Sequence, residues 1–165
     1  MVDIIREQFK IRIYEEGIVR INKVLDMLTE EQVWYSPNDN INSIGNLVLH
    51  LNGNVTQWIG TGIAQHKDKR LRDFEFSSHQ THAKSDLKQL LVELQEYTTP
   101  IIDQLDSDIL GEKRTVQGFD ETVLSIVIHV IEHFSYHVGQ IAYLGKLMTD
   151  QDLGFYEGMD LTVLD

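Results

Sequence analysis

Seven histidines stand at positions 50, 66, 79, 82, 129, 133 and 137 of this 165-residue chain. Three of them, His129, His133 and His137, are spaced four apart. Residues four apart share one face of a helix, one turn above the other. Two imidazoles so placed can chelate one divalent ion. The surrounding pattern ranks the three. Val123, Val127, Val130, Phe134, Ile141, Leu144 and Met148 form an apolar seam in which His137 holds a seam position. His133 lies about 60° from the seam centre and His129 about 100°. So His133 and His137 point inward and His129 toward a helix flank. His50 is the other histidine inside a strong helical pattern, about 60° from Leu47 at the edge of a second seam, and can supply a third ligand. The competing reading of a buried histidine is a hydrogen-bonded core residue. Three converging imidazoles without a cation, however, need three separate sets of partners, and each unmet buried polar group costs about 1–3 kcal/mol.

The elements that must position these residues are helical. Ile4, Ile11, Tyr14, Ile18, Ile21, Leu25 and Leu28 step by threes and fours as a bundle seam. Ser43 caps a second helix with seam Ile44, Val48, Leu51, Val55 and Trp58, fading near Lys67. Gly53, within it, suits a tight crossing. A loop covers about 68–82. A third helix starts at Thr81 or Ser85 and turns Leu87, Leu91, Leu94, Ile101 and Leu105 inward, with Pro100 kinking it or restarting it from a Thr99 cap. A second loop, about 106–119, holds a possible short strand at Lys113–Gln117, and Asp120 caps the fourth helix. Four amphipathic helices joined by loops predict an all-α four-helix bundle in one domain, residues 1–165. The loops flanking the third helix are long enough for a crossover.

Composition narrows the function. The net charge is −12 and no cysteine occurs. Without a basic footprint, nucleic-acid binding is not expected. Without cysteine there are no disulfides, thiolate ligands or cysteine nucleophile, so any thiol must arrive with a substrate. No segment has the apolar length of a membrane span, and no secretory signal opens the chain, so the expected location is the cytoplasm. Di-iron bundles need Glu-x-x-His pairs, and zincin proteases need H-E-x-x-H. Neither motif is present.

The string EHFSYHVGQIAYL (132–144) resembles the closing helix of the DinB-like, or YfiT-like, metalloenzyme superfamily, with His133, His137, Gly139 and Gln140 in the motif positions. SIGNLVLHLNGNVTQWI (43–59) is similar to the family's second-helix motif, with His50 at the ligand position. PNDNINSIGNLVLHL and RLRDFEF resemble an uncharacterised bacterial branch. The resemblance implies an up-down-down-up bundle, one divalent ion (zinc or nickel) held by His50, His133 and His137, and a homodimer. It also implies relatives that are thiol-dependent S-transferases or isomerases. Where many relatives carry an arginine before Gly-Gln, this chain has Val138. His129 matches no ligand position.

Three imidazoles leave an ion at least one open position, whereas structural zinc sites use four protein ligands. The site therefore predicts a metal-dependent enzyme, either an S-transferase taking a low-molecular-weight thiol or a hydrolase using water acidified by the ion to a pKa of ~7. The alternative is a non-catalytic interaction bundle with a structural or vestigial metal; a weaker one is a non-covalent haem or small-molecule sensor. Gln140 and His129 are candidates for orienting the imidazoles from behind, Gln140 being the better placed. Glu132, Asn46 and Asn54 are nearby but suit a solvated face. Trp58 and Tyr143 suit a pocket wall or the core.

Overall fold

The chain's apolar seams gather into four long helices and a few short connecting elements in the computed structural model, which describes residues 1–163. Helix α1 comprises Val2–Lys10, a π-helical stretch Ile11–Ile18 and Val19–Met27. A short helix α2 (Glu30–Val33) follows, capped by Thr29. Helix α3 joins Ile44–Val55 to π-helical Thr56–Ile63. Next come α4 (Arg72–Ser77), α5 (Lys84–Asp103), the strands β1 (Lys113–Val116) and β2 (Phe119–Thr122), and α6 (Val123–Thr149).

Helix α1 packs against α5 and α6, and α3 packs against the same two, so α1 lies diagonal to α3. Side-chain contacts give the directions. Gly17 meets Phe134 and Gly145 meets Val24, so α1 and α6 are parallel. Tyr14 bonds Thr98 while Lys88 bonds Asp26, so α1 and α5 are antiparallel. His50 faces His133 while Gly62 faces Ile126, so α3 and α6 are antiparallel. The order is up-down-down-up, as the resemblance implies, and the connection from α3 to α5 is a crossover.

Several boundaries differ from the sequence expectation, each for a local reason. In α1 the π-helical turns shift the inward face, so Ile4 is exposed and Phe9 and Ile13 are fully buried instead. Helix α3 ends at Ile63, before Lys67. The region expected as a loop over 68–82 contains α4, too short to show periodicity. Helix α5 begins after Ala83, whose N–H is accepted by Asp86, not at Thr81 or Ser85. It runs through Pro100 without restarting at Thr99, whose hydroxyl instead bonds back to the Gln95 carbonyl. Lys113–Val116 is a strand, and it pairs antiparallel with Phe119–Thr122. Gln117 (φ 54°) and Gly118 (φ 84°) make the tight turn between them, both in the left-handed conformation such two-residue hairpins require. Asp120 is thereby drawn into the hairpin, accepting from Thr115, and Thr122 caps α6 by accepting from the Ser125 N–H.

Ser43 caps α3 as expected, in a reciprocal pair with Asn46. Asn46 is 2 % exposed, and its amide donates to the carbonyls of Glu75 (2.9 Å) and Ser78 (2.8 Å). One buried side chain thus fastens both the start of α3 and the end of α4. Among the described residues no helix is long and apolar enough to cross a membrane.

Candidate metal centre

Antiparallel packing of α3 on α6 brings His50 to His133 and His137. His50 Nε2 lies 3.3 Å from His133 Nε2, and His137 Nε2 lies 3.2 Å from the same atom. One ligating atom from each residue falls within 4.8 Å of the others. Two nitrogens each 2.0–2.1 Å from a tetrahedral ion stand about 3.3 Å apart. The observed spacing is compatible with ligation of one ion, and the group could hold one.

The remaining ring nitrogens set the tautomers. His50 Nδ1 lies 2.9 Å from Glu75 Oε2. Arg70 Nη2 lies 3.1 Å from the same nitrogen but is closer to Glu75 Oε2, to which it donates at 2.8 Å. The carboxylate only accepts, so in the neutral ring Nδ1 carries the hydrogen and the Nε2 lone pair is bare. His137 Nδ1 donates in the same way to Gln140 Oε1 at 2.7 Å. Two bare lone pairs thus face His133 Nε2, which as an N–H could satisfy only one of them. A cation satisfies all three nitrogens. His133 Nδ1 is buried without a partner, so this ring is held by packing, between the rings of His129 and His137.

Electrostatics favour the neutral, ligating form. Burial, reinforced by the neighbouring histidines and Arg70, pushes His133 down to about 3. Burial also lowers His137, against the Gln140 hydrogen bond. Burial works to raise the Glu75 carboxyl, but hydrogen bonds from Arg70 and His50 outweigh it and leave it below the ordinary glutamate value.

Arg70 explains why a carboxylate can sit here. Its Nε and Nη2 grip Glu75 Oε1 and Oε2 at 2.7 and 2.8 Å, and Nη1 donates to Gln57 Oε1 at 2.9 Å. Gln57 in turn donates to Asp68. A buried, bidentate arginine–carboxylate pair with a further hydrogen bond to a neighbouring amide is the arrangement in which such a pair persists. Sequence reasoning missed both Arg70 and Glu75, because they sit in and beside the short α4. A signal was present at Gly53: a Cβ there would lie 2.1 Å from Glu75 Oε1. The tight crossing expected at this glycine is the approach of Glu75.

The other candidates separate cleanly. His129 stays outside the trio and stacks on Trp58, ring centroids 3.9 Å apart. Burial, opposed by Glu132 and Glu121, lowers its basicity. His66 bonds Tyr97, His82 bonds Thr81, and His79 is exposed. Glu132 is exposed, whereas Asn46 and Asn54 are buried and not solvated as expected. Trp58 both packs and lines the site, but Tyr143 lies on a separate groove. Val138 is buried beside Gly17 and Arg20, toward α1, so an arginine's absence there removes nothing from the histidine site. In front of the three histidines opens a cavity of about 770 Å³ walled by Trp58, Phe76 and Phe119, with Arg72 and Asn54 among its polar lining.

The bundle order is that of the DinB-like fold. Residues 4–156 match the family described as protein of unknown function DUF1572, and the chain belongs to that family. It is similar to the crystal structure of the DinB-like protein YjoA from Bacillus subtilis, with TM-score 0.67 and 18 % identity over 90 % of this chain and 94 % of that one. It is also similar to a DinB-like protein from Bacillus cereus, with TM-score 0.64 and 14 % identity over 82 % and 87 %. No curated protein matches the sequence.

Proposed function

We propose that this chain is a divalent-metal-dependent enzyme whose ion, zinc or nickel, is held by His50, His133 and His137. The observation that carries this reading is the pair of 3.2 and 3.3 Å Nε2 spacings, with the Nδ1 atoms of His50 and His137 already committed to Glu75 and Gln140. No carboxylate joins the trio among the described residues, because Glu75 is turned to the far nitrogen of His50 and saturated by Arg70. That favours an open coordination position over a closed structural site. An ion bound there supplies Lewis acidity toward a water or a thiol. The protein's own contribution is to hold three neutral imidazoles, fix their tautomers and wall the approach with aromatic rings. The reaction class best fitted is transfer to or from a low-molecular-weight thiol, since the chain has no sulfhydryl of its own, or hydrolysis. We further place it in the cytoplasm, as a homodimer.

Metal analysis of purified variants tests the assignment. His137→Ala should lose the stoichiometric metal and His79→Ala should keep it; equal content in both would reject the site. A screen of the metal-loaded protein against electrophiles, with and without bacterial thiols, then separates transferase from hydrolase.

A further inference from the structure

Two arginines line the cavity, and they differ in what they touch. Arg70 is spent on Glu75 and Gln57. Arg72 forms no ion pair or side-chain hydrogen bond among the described residues, although the protein carries a net charge of −12. Glu121 lines the same cavity and does not pair with it. The Arg72 guanidinium carbon stands 5.0 Å over the Phe76 ring, and that ring lies 4.9 Å from His50. Arg72 is solvent-exposed, and this cation–π contact restrains its guanidinium without using any of its N–H donors, the state in which arginine recognises a planar anion. A second polar group is also unspent: Asn54, 4 % exposed and one turn after His50, buries a carboxamide oxygen that meets no donor. Trp58 and Phe119, stacked at 6.4 Å, supply an apolar wall between them.

We infer that Arg72 is the anion anchor of the substrate site, and that the substrate is a small carboxylate with an apolar body whose other end reaches the histidine trio. This rests on the metal reading above. The fork of Arg72 pairs with the carboxylate in the geometry that makes such bonds charge-assisted and bidentate. The body lies against Trp58, Phe76 and Phe119, and the functional group at the far end takes the open position.

The test uses cobalt-substituted protein and reads the absorption band that a thiolate gives on cobalt. Mercaptopropionate and mercaptobutyrate are titrated against the matching mercaptoalcohols, which keep the thiol and lack the charge. Wild-type protein should bind at least one of the acids about tenfold more tightly than its alcohol. Arg72→Gln should erase that preference while leaving cobalt content and alcohol affinity unchanged, and Arg72→Lys should retain part of it. Equal affinity for acid and alcohol in the wild type, or a preference that survives Arg72→Gln, would overturn the anchor alone. Failure of the wild-type protein to take up cobalt would overturn the metal reading and the anchor with it.

Discussion

Glu75 approaches His50 from the side opposite the other two histidines, its Oε2 2.9 Å from Nδ1, and so aims the Nε2 lone pair of His50 at His133. Neither residue is near the other in sequence, and Glu75 belongs to an element of six residues. The alignment of a candidate ligand therefore depends on how firmly α4 is seated.

Replacing Glu75 by Gln keeps a side chain of the same shape but removes the charge that stabilises the Nδ1–H and balances Arg70. Loss of a partner of this kind lowers metal affinity by about 10–100-fold. Competition with a chromophoric chelator would measure it. Wild-type affinity in Glu75→Gln would show that this carboxylate does not tune the site.

Gly53→Ala places a methyl 2.1 Å from Glu75 Oε1 and must displace it. The variant should lose about 1–3 kcal/mol of stability through overpacking and bind metal less tightly. Gly139→Ala is the control: nothing lies within 4 Å of its added methyl, and alanine is favoured in a helix by up to ~1 kcal/mol. Thermal melts that rank the two variants the other way would contradict the packing described.

Stability of the metal-stripped protein should depend on pH in a fixed direction. An unfolded histidine titrates near ~6.5, whereas native His133 does so at about 3. As pH falls between these values the unfolded chain takes up a proton that the native state refuses, so stability declines across that window. Glu75, held below its ordinary value, adds a loss in the same direction at the acid end. Denaturant unfolding of chelator-treated protein at pH 7 and pH 4.5 would reveal the decline. Because protons compete poorly for His133, half of the bound metal should be released below about pH 6; release above it would contradict the burial of that ring.

Asn46→Ala removes both amide bonds that fasten α4 to α3 and leaves two carbonyls to find other partners. It should cost about 1–3 kcal/mol and loosen the Glu75–His50 contact, which amide hydrogen exchange over residues 72–78 would detect as faster opening.

Much of this was legible in the residues. Long apolar seams with threes-and-fours spacing announce the four helices, because each must bury one face. His137 in an otherwise apolar seam, with His133 one turn before it, marks the centre, and His50 follows from its own seam. What could not be read was set by short-range chemistry or by folding. Alpha4 is a turn and a half long, so no period can show. Its Glu75 becomes a partner of His50 only after Asn46 pins the segment. The hairpin turn Gln117–Gly118 gives a weaker signal than Asn-Gly, and missing it moved the expected cap from Thr122 to Asp120. In α1, the π-helical turns rotate the seam in a way that a 3.6-residue period cannot anticipate.

His50 and His133 are 83 positions apart in the chain. An ion gripped by both would act as a removable staple, closing a long loop between the first half of the bundle and its final helix. Loop closure of that length is costly to the unfolded chain, and an ion that favours the native state shifts the balance further toward it. Uptake of the ion and completion of the bundle would then be one cooperative event, and starving the protein of metal would leave its last helix the least secured.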